Sequence, residues 1–149
     1  MMHPRPHPLE DALQRYIAFY ETLSPETLPQ ADTVFTGDAR FKDPFNDVRG
    51  IDRIRHVFTD MFKTVGAPDF HVTGSGWKDD AVCYLRWRFT YRVGGKGDPV
   101  IVEGMSDVTF APNGKVSSHI DFWDAAQGLY EHLPVIGMVL RALRRRVQA

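Results

Sequence analysis

Apolar residues fall into two rhythms along this chain. Over residues 9–23, Leu13, Tyr16, Ile17 and Tyr20 recur three or four apart, which predicts an amphipathic helix. Ser24-Pro25 closes it, and a second, shorter helix is expected next, with Leu28, Ala31, Val34 and Phe35 turned inward. Gly37-Asp38 then turns the chain into a brief strand, residues 39–43, stopped by Pro44, and Asn46-Asp47 starts a loop. After Gly50 the helical rhythm returns over residues 51–64. Ile54, Val57, Phe58, Met61 and Phe62 make its inner face, while Arg53, Arg55, Asp60 and Lys63 face solvent. Gly66-Ala67-Pro68 ends this helix.

From there the period drops from about 3.6 residues to 2. Strands are expected over residues 69–78, 81–93, 100–111 and 115–124. They are separated by Asp79-Asp80, by the glycine-rich stretch 94–98 and by Pro112-Asn113-Gly114, each a hairpin signal. Three short helices followed by an antiparallel meander give an α+β class, with a curved sheet wrapped over the helices. On the long strand Cys83, Leu85, Trp87, Phe89 and Tyr91 share one face, and Tyr84, Arg86, Arg88, Thr90 and Arg92 the other. An aromatic stripe of this kind fills a core or, joined by Val108, Phe110 and Trp123, walls a small-ligand cavity. The arginine face is either solvated or covered by a second copy of the chain.

The remaining residues, 125–147, read as two helical stretches broken at Pro134. The second carries Ile136, Val139, Leu140, Leu143 and Val147 on one side, and Arg141, Arg144, Arg145 and Arg146 crowd its last turns. A plain surface helix with a favourable macrodipole, peripheral membrane contact through residues 135–147, and a clamp on an acidic partner all fit this pattern.

Candidate chemistry concentrates in residues 116–124, Val-Ser-Ser-His-Ile-Asp-Phe-Trp-Asp. In a strand His119, Asp121 and Trp123 share one side, and Ser118, Ile120 and Phe122 the other. Either Ile120 and Phe122 enter the core and the titratable pair faces water, or the pair looks with Trp123 into a part-apolar pocket. In the pocket, burial and mutual attraction would suit His119 and Asp121 to acid–base work.

Composition narrows the function classes. The chain has 149 residues, 43% of them hydrophobic and 25% charged, which suits one globular domain with its own core. A net charge of −1 supplies no field for nucleic acid, and the basic residues are not interleaved with aromatic stacking platforms. The single cysteine, Cys83, excludes an internal disulfide, points to a reducing, cytoplasmic setting, and sits in an apolar strand as an inert thiol. No apolar run approaches the ~20 residues of a membrane span. Residues 1–8, with three prolines and two histidines, are expected to form a disordered arm without a signal-peptide core or a third metal ligand. No metal and no cofactor is expected.

The order of elements, together with Gln14-Arg15-Tyr16, Phe41-Lys42-Asp43-Pro44 and His119-Ile120-Asp121, resembles the nuclear transport factor 2-like superfamily. That cone-shaped α+β fold includes ketosteroid isomerases, SnoaL-like polyketide cyclases and limonene epoxide hydrolases. The resemblance covers residues 9–126 and implies a cone domain there, with residues 127–149 as a helical extension. Tyr16 is similar in position to the isomerases' oxyanion-donating tyrosine, and Asp43 to their proton-shuttling aspartate, so both are expected to point into the cavity. Two positions depart from the isomerase pattern. Ser106 stands where the isomerases place a protonated aspartic acid, and Phe58 where they place a supporting tyrosine, so the two-donor oxyanion hole is not reproduced. His119 and Asp121 resemble the His-x-Asp run of the cyclases, whose aspartate serves as acid/base. No arginine occupies the predicted inner face, which argues against the epoxide hydrolase branch.

The resemblance implies a small hydrophobic ligand and a homodimer through the sheet, with Tyr84, Arg86 and Arg88 at the seam. The expected catalytic residues are Asp121, His119, Tyr16 and Asp43. The expected substrate-binding residues are Trp87, Phe89, Tyr91, Trp123, Phe58, Ser106, Val108 and Phe110. Two functions stand side by side: a cofactor-independent isomerase, cyclase or dehydratase acting on a polyketide-, steroid- or lipid-like carbonyl compound, and a non-catalytic carrier or sensor of an apolar ligand.

Overall fold

In the computed structural model, which describes residues 4–93, 95–128 and 134–148, the first helix, α1, runs Glu10–Glu21. Its 3.6-residue periodicity buries Ala12, Leu13, Tyr16, Phe19 and Tyr20, and Glu10 and Asp11 sit at its positive end. Just before it the His7 ring lies flat on Trp77, with centroids 3.5 Å apart, and the Trp77 indole N–H donates to Glu10 at 3.0 Å. The expected second helix is a short 3-10 stretch, Leu28–Thr33, opened by Pro29. Six residues are too few for a stable α-helix, so the tighter turn serves as a connector.

Strand β1 (Phe35–Lys42) begins earlier than the sequence suggested, because Phe35, Ala39 and Phe41 keep pointing inward through Gly37-Asp38. An irregularity between Phe35 and Arg40 absorbs the glycine. The expected loop after Asn46 contains a three-residue strand, β2 (Asp47–Arg49), paired to β1 and tied by an Arg40–Asp47 salt bridge of 2.8 Å. Helix α2 (Ile51–Thr64) has the expected bounds, with Ile54 and Phe58 buried. The strands β3 (Val65–Trp77), β4 (Val82–Val93), β5 (Val100–Phe110) and β6 (Val116–Phe122) follow. Gly66-Ala67-Pro68 does not form a separate loop. It is a bulge within β3, marked by Ala67 at φ 48° and a register shift between Gly66 and Asp69. Such bulges sharpen the sheet's twist and bend it.

The six strands form one sheet in the order β2-β1-β6-β5-β4-β3. The expected meander β3–β6 is antiparallel throughout, and β1, for which the sequence named no partner, pairs with β6 in parallel. A parallel neighbour needs a long crossover, and here everything from β2 through β5 lies between the two strands. The result is the α+β cone, a curved sheet holding α1 and α2 in its concavity. Cys83, Leu85, Trp87, Tyr91, Val102, Val108, Phe110 and Val116 line its inner face, packed with Leu13, Tyr16, Ile54 and Phe58 from the helices. Each of these large side chains contributes about 1.5–3 kcal/mol by leaving water. At the β5–β6 hairpin Gly114 adopts φ 82°, which a side chain rarely tolerates, and Asn113 accepts the Lys115 N–H at 2.9 Å.

The outer face leaves Tyr84, Ile101, Met105 and Phe122 exposed. After β6 a one-turn helix, α3 (Ala125–Gly128), begins the expected 125–133 helix, whose later residues lie outside the described ones. Pro134 does not interrupt α4 (Pro134–Val147) but opens it, in the first turn, where its missing N–H costs nothing. Among the described residues no helix is long and apolar enough to cross a membrane.

Candidate functional site

The strand phase at residue 119 decides the site. His119 is 3% exposed and faces the concavity with Asp121 and Trp123, whereas Phe122 on the opposite face is 62% exposed. His119 Nε2 lies 2.7 Å from Asp121 Oδ1, and Nδ1 lies 2.7 Å from the Tyr16 hydroxyl. The imidazole is sandwiched between Tyr20 and Phe41, both nearly parallel to it at 5.3 Å. A carboxylate only accepts, so Nε2 carries a proton toward Asp121, while Nδ1 is hydrogen-bonded to the Tyr16 hydroxyl, which also lies 3.4 Å from the Tyr20 hydroxyl. Burial pushes the Tyr16 and Tyr20 hydroxyls well above the usual phenol range; Tyr20 and Asp121 add to the rise at Tyr16, whereas at Tyr20 Asp121 and Asp43 add to it and the bond from Tyr16 opposes it, and both stay protonated.

A second line of donors reaches the same carboxylate from the sheet. The Trp87 indole N–H donates to Ser106 Oγ at 2.8 Å, and Ser106 donates to Asp121 Oδ1 at 2.5 Å. An indole N–H can only donate, so the direction of this line is fixed. It is built by register. Leu85 is paired with Ser106, Trp87 with Gly104 and Ser106 with Asp121, which sets the tryptophan of β4, the serine of β5 and the aspartate of β6 side by side. Oδ1 is thus held from two sides. Oδ2 has no hydrogen-bond partner among the described residues, and it is not among their buried unsatisfied atoms.

Asp121 stands on the wall of a cavity of about 260 Å³. Phe58, Trp87, Phe89, Tyr91 and Trp123, all expected binding residues, line it. Phe70, Val102, Met61 and Phe45 complete much of the apolar wall. A narrower pocket of about 40 Å³, reaching Ser106, His119 and Tyr20, shares Phe58, Phe70, Trp87 and Asp121 with it. The larger space is just below the usual range for drug-sized ligands, so it suits a compact molecule. Its lining contains Asp43, Asp60 and Asp121 and neither lysine nor arginine. Gly104 makes room for the Trp87 ring in that wall: a Cβ there would come within 2.5 Å of it. Among the described residues no cluster of three or more His, Cys, Asp or Glu side chains has metal-binding geometry.

Some expected site residues fall elsewhere. Tyr16 does not reach the cavity wall; it lies behind His119, with its ring edge-on to Phe35 and Phe110 and its hydroxyl engaged by Nδ1. The reason is helical phase: α1 places Tyr16 deep under the sheet and brings Tyr20, one turn on, against the imidazole face. Val108 and Phe110 are packed core residues outside both cavities, because the wider end of the cone lies toward the other end of β5. Asp43 does line the cavity, but its Oδ1 accepts the backbone N–H groups of Phe45 and Asn46, each at 2.7 Å, as a turn-capping carboxylate does. Sequence reasoning missed Gly104 and Phe70. Phe70 was accessible from the alternation of β3, whereas a glycine's role beneath an indole leaves no trace in pattern. Cys83 is buried, and desolvation pushes its thiol up to about 11, an inert group away from the site.

Comparison with known proteins places the chain. No curated protein matches it in sequence. A family model for the SnoaL-like domain matches residues 16–119. In structure it is similar to a ketosteroid isomerase-like-fold protein from Catenulispora acidiphila crystallised with trimethylamine (TM-score 0.68, 13% identity, 80% of this chain and 90% of that one). It is also similar to a protein from Jannaschia described as a SnoaL-like polyketide cyclase (TM-score 0.66, 16% identity, 83% and 92% covered). An epoxide hydrolase of the LEH-like type from M. tuberculosis matches at TM-score 0.64 with 16% identity, over 91% and 96% of the two chains. At such identities the structural likeness speaks for the fold, and the family follows from the match over most of the cone: this chain belongs to the SnoaL-like domain family.

Proposed function

We propose that the protein is a cofactor-independent acid/base enzyme of isomerase, cyclase or dehydratase type, acting on a small apolar carbonyl compound of polyketide, steroid or lipid character. One observation carries this reading. Asp121 lines an apolar cavity with one carboxylate oxygen that has no partner among the described residues, while its other oxygen is held by Ser106 and His119. A base positioned in this way can take a proton from the carbon beside a carbonyl and return it elsewhere on the ligand. His119 orients Asp121 through Nε2–H, and Tyr16, bonded to Nδ1, holds the ring in place. Trp87, Phe89, Tyr91, Trp123 and Phe58 exclude water from the reacting atoms. The lining has no arginine, so a hydrolytic reaction on an epoxide, with an arginine steering a water between two carboxylates, fits the site less well.

The carrier reading draws on the donors. The Tyr16 hydroxyl is taken by His119 and the Tyr91 hydroxyl donates to the Gly128 carbonyl at 2.5 Å, so neither is free to stabilise an enolate. A homodimer through the outer sheet face, and a cytoplasmic setting for the reduced Cys83, belong to the same proposal. Exposed Tyr84, Ile101, Met105 and Phe122 supply the apolar part of that interface.

Incorporation of solvent deuterium into β-tetralone and related apolar ketones, followed by proton NMR in D2O, tests the enzyme reading without knowledge of the natural substrate. Protein-dependent exchange is the expected result. Absence of exchange across the series, together with an apolar ligand retained in native mass spectra, would establish the carrier instead.

A further inference from the structure

The cavity at Asp121 is lined by one sign of charge. Three of its sixteen lining residues among those described are aspartates, Asp43, Asp60 and Asp121, and none of the chain's 18 lysines and arginines is among them. Each carboxylate has partners, but those partners leave negative charge standing. Asp43 accepts the Phe45 and Asn46 N–H groups and the Asn46 side-chain amide, all neutral donors. Asp60 lies 3.2 Å from His56, and Asp121 lies 2.7 Å from His119. Even with both imidazoles protonated the three aspartates keep one net negative charge. Arg40 and Lys42 flank Asp43 in sequence without answering it: the alternation of β1 buries Ala39 and Phe41 and turns these two to the other side, where Arg40 is tied to Asp47.

The rest of the wall selects the kind of cation. Seven of the same sixteen residues are aromatic, among them Phe70, Trp87, Phe89, Tyr91 and Trp123. Phe70 stacks on Phe89 with centroids 4.4 Å apart, and Tyr91 continues the row 5.4 Å beyond Phe89. Aromatic rings attract a cation through their π-electrons, which an aliphatic wall does not do. A neutral apolar ligand filling this space would strip water from the carboxylates and offer no charge in exchange. A metal ion is a poor match, because no three described His, Cys, Asp or Glu side chains converge with metal-binding geometry. Negative charge spread over an aromatic wall suits a bulky organic ammonium instead. The field also reaches the narrow pocket: burial raises the Tyr20 phenol most, and Asp121 and Asp43 raise it further. The chemistry gains from such a ligand. Thr64, Trp87 and Tyr91 in the lining give their protons to protein acceptors, and no lining side chain is a lysine or arginine that could meet an enolate oxygen. An ammonium on the ligand itself supplies that positive charge as the enolate forms.

We infer that the cavity selects a compact ligand bearing a quaternary or protonated amine, so that the substrate is an aminoketone whose cation is held by Asp43, Asp60 and the aromatic wall while Asp121 takes the proton. That proton moves from the carbon beside the carbonyl to Asp121 and back to the ligand, and no other atom changes hands. The carbonyl half of this assignment rests on the acid/base reading, whereas the preference for a cation rests on the cavity wall alone.

Calorimetric titration of the full-length protein with para-acetyl-N,N,N-trimethylanilinium and with its uncharged isostere para-tert-butylacetophenone tests the preference, since the two differ in nitrogen against carbon and so in charge. The expected result is binding of the cation about tenfold tighter or more, with no measurable binding of para-acetylbenzoate. Phe89→Leu keeps an apolar side chain and removes the ring, so it should weaken the cation about fivefold and the neutral ketone by less than about twofold. Asp60→Asn, at a side chain 55% exposed, should weaken the cation about threefold and the neutral ketone hardly at all. Each variant is judged by the ratio of its two affinities, which a general loss of folded protein does not move. Solvent deuterium exchange into the acetyl methyl of both ketones, on the same samples, reports the acid/base reading separately. Exchange into both with equal affinity for both overturns the cation assignment and leaves Asp121 as a base. Preference for the cation without exchange supports the cation assignment and removes the acid/base reading. Tighter binding of the neutral ketone, failure of the cation to bind, or a preference untouched by both substitutions overturns the assignment.

Discussion

Asp121→Asn separates chemistry from architecture in this site. Asparagine keeps an oxygen where Oδ1 stands, so the Ser106 hydroxyl and His119 Nε2–H retain an acceptor at unchanged positions. Its amide nitrogen takes the place of Oδ2, which has no partner to offend among the described residues. Two charge-assisted bonds become neutral ones, a loss of about 1–1.5 kcal/mol each. Against this, a carboxylate that is only 15% exposed no longer has to be held charged in an apolar setting, which recovers a comparable amount. The net change is about 0–2 kcal/mol, or a midpoint lowered by at most about 8 °C for a domain of this length. Proton abstraction should fall by about 10²–10⁴-fold, the usual contribution of a positioned base. Ser106→Ala gives the contrasting pattern. It strands the Trp87 N–H at a cost of about 1–3 kcal/mol yet leaves the base in place, so stability drops more than rate. Deuterium exchange into an apolar ketone and differential scanning calorimetry measure the two quantities on the same samples. Exchange retained within about threefold in Asp121→Asn would remove Asp121 as the base. A midpoint lowered by more than about 12 °C would make it a structural acceptor.

Other consequences are equally direct. Gly104→Ala should drive a Cβ into the Trp87 ring, with contacts of 2.5 Å to Cζ2 and Cη2; the expected cost is about 1–3 kcal/mol, read as a lower thermal midpoint and altered tryptophan fluorescence. Stability should decline in alkali. The folded Cys83 thiol, raised to about 11, and the raised Tyr16 and Tyr20 phenols keep their protons while the unfolded groups lose theirs. The folded state then binds more protons, and unfolding gains from about pH 9 upward. Urea titrations from pH 7 to 11 should show this, with the onset moved toward pH 10 in Cys83→Ala; a flat profile would contradict the buried protonated phenols. Phe122→Glu, on the outer sheet face at 62% exposure, should convert the proposed homodimer to monomers in light scattering while changing the monomer's stability by no more than about 0.5 kcal/mol.

The chain's periodicities determined its class, most of its elements and the inward phase of one face. The alternation Cys83, Leu85, Trp87, Phe89, Tyr91 needs no coordinates to be read, and the 51–64 helix keeps its expected bounds. Local pattern carries this information because burial repeats with the geometry of each element. What depends on contacts between distant segments was not legible. The parallel pairing of β1 with β6 joins residues more than seventy positions apart, and β2 is too short to show a rhythm of its own. The phase of α1 relative to the sheet sends Tyr16 behind His119 and sets Tyr20 against its ring, a matter of packing that the helix alone does not encode. For His119 and Asp121, alternation guaranteed only that they share a side. Closure of the cone around that side made it the interior, and the cross-strand registers brought Ser106 and Trp87 to the carboxylate. A strand's sequence specifies which side chains point together, whereas the free energy of burying one face of the assembled sheet specifies where they point.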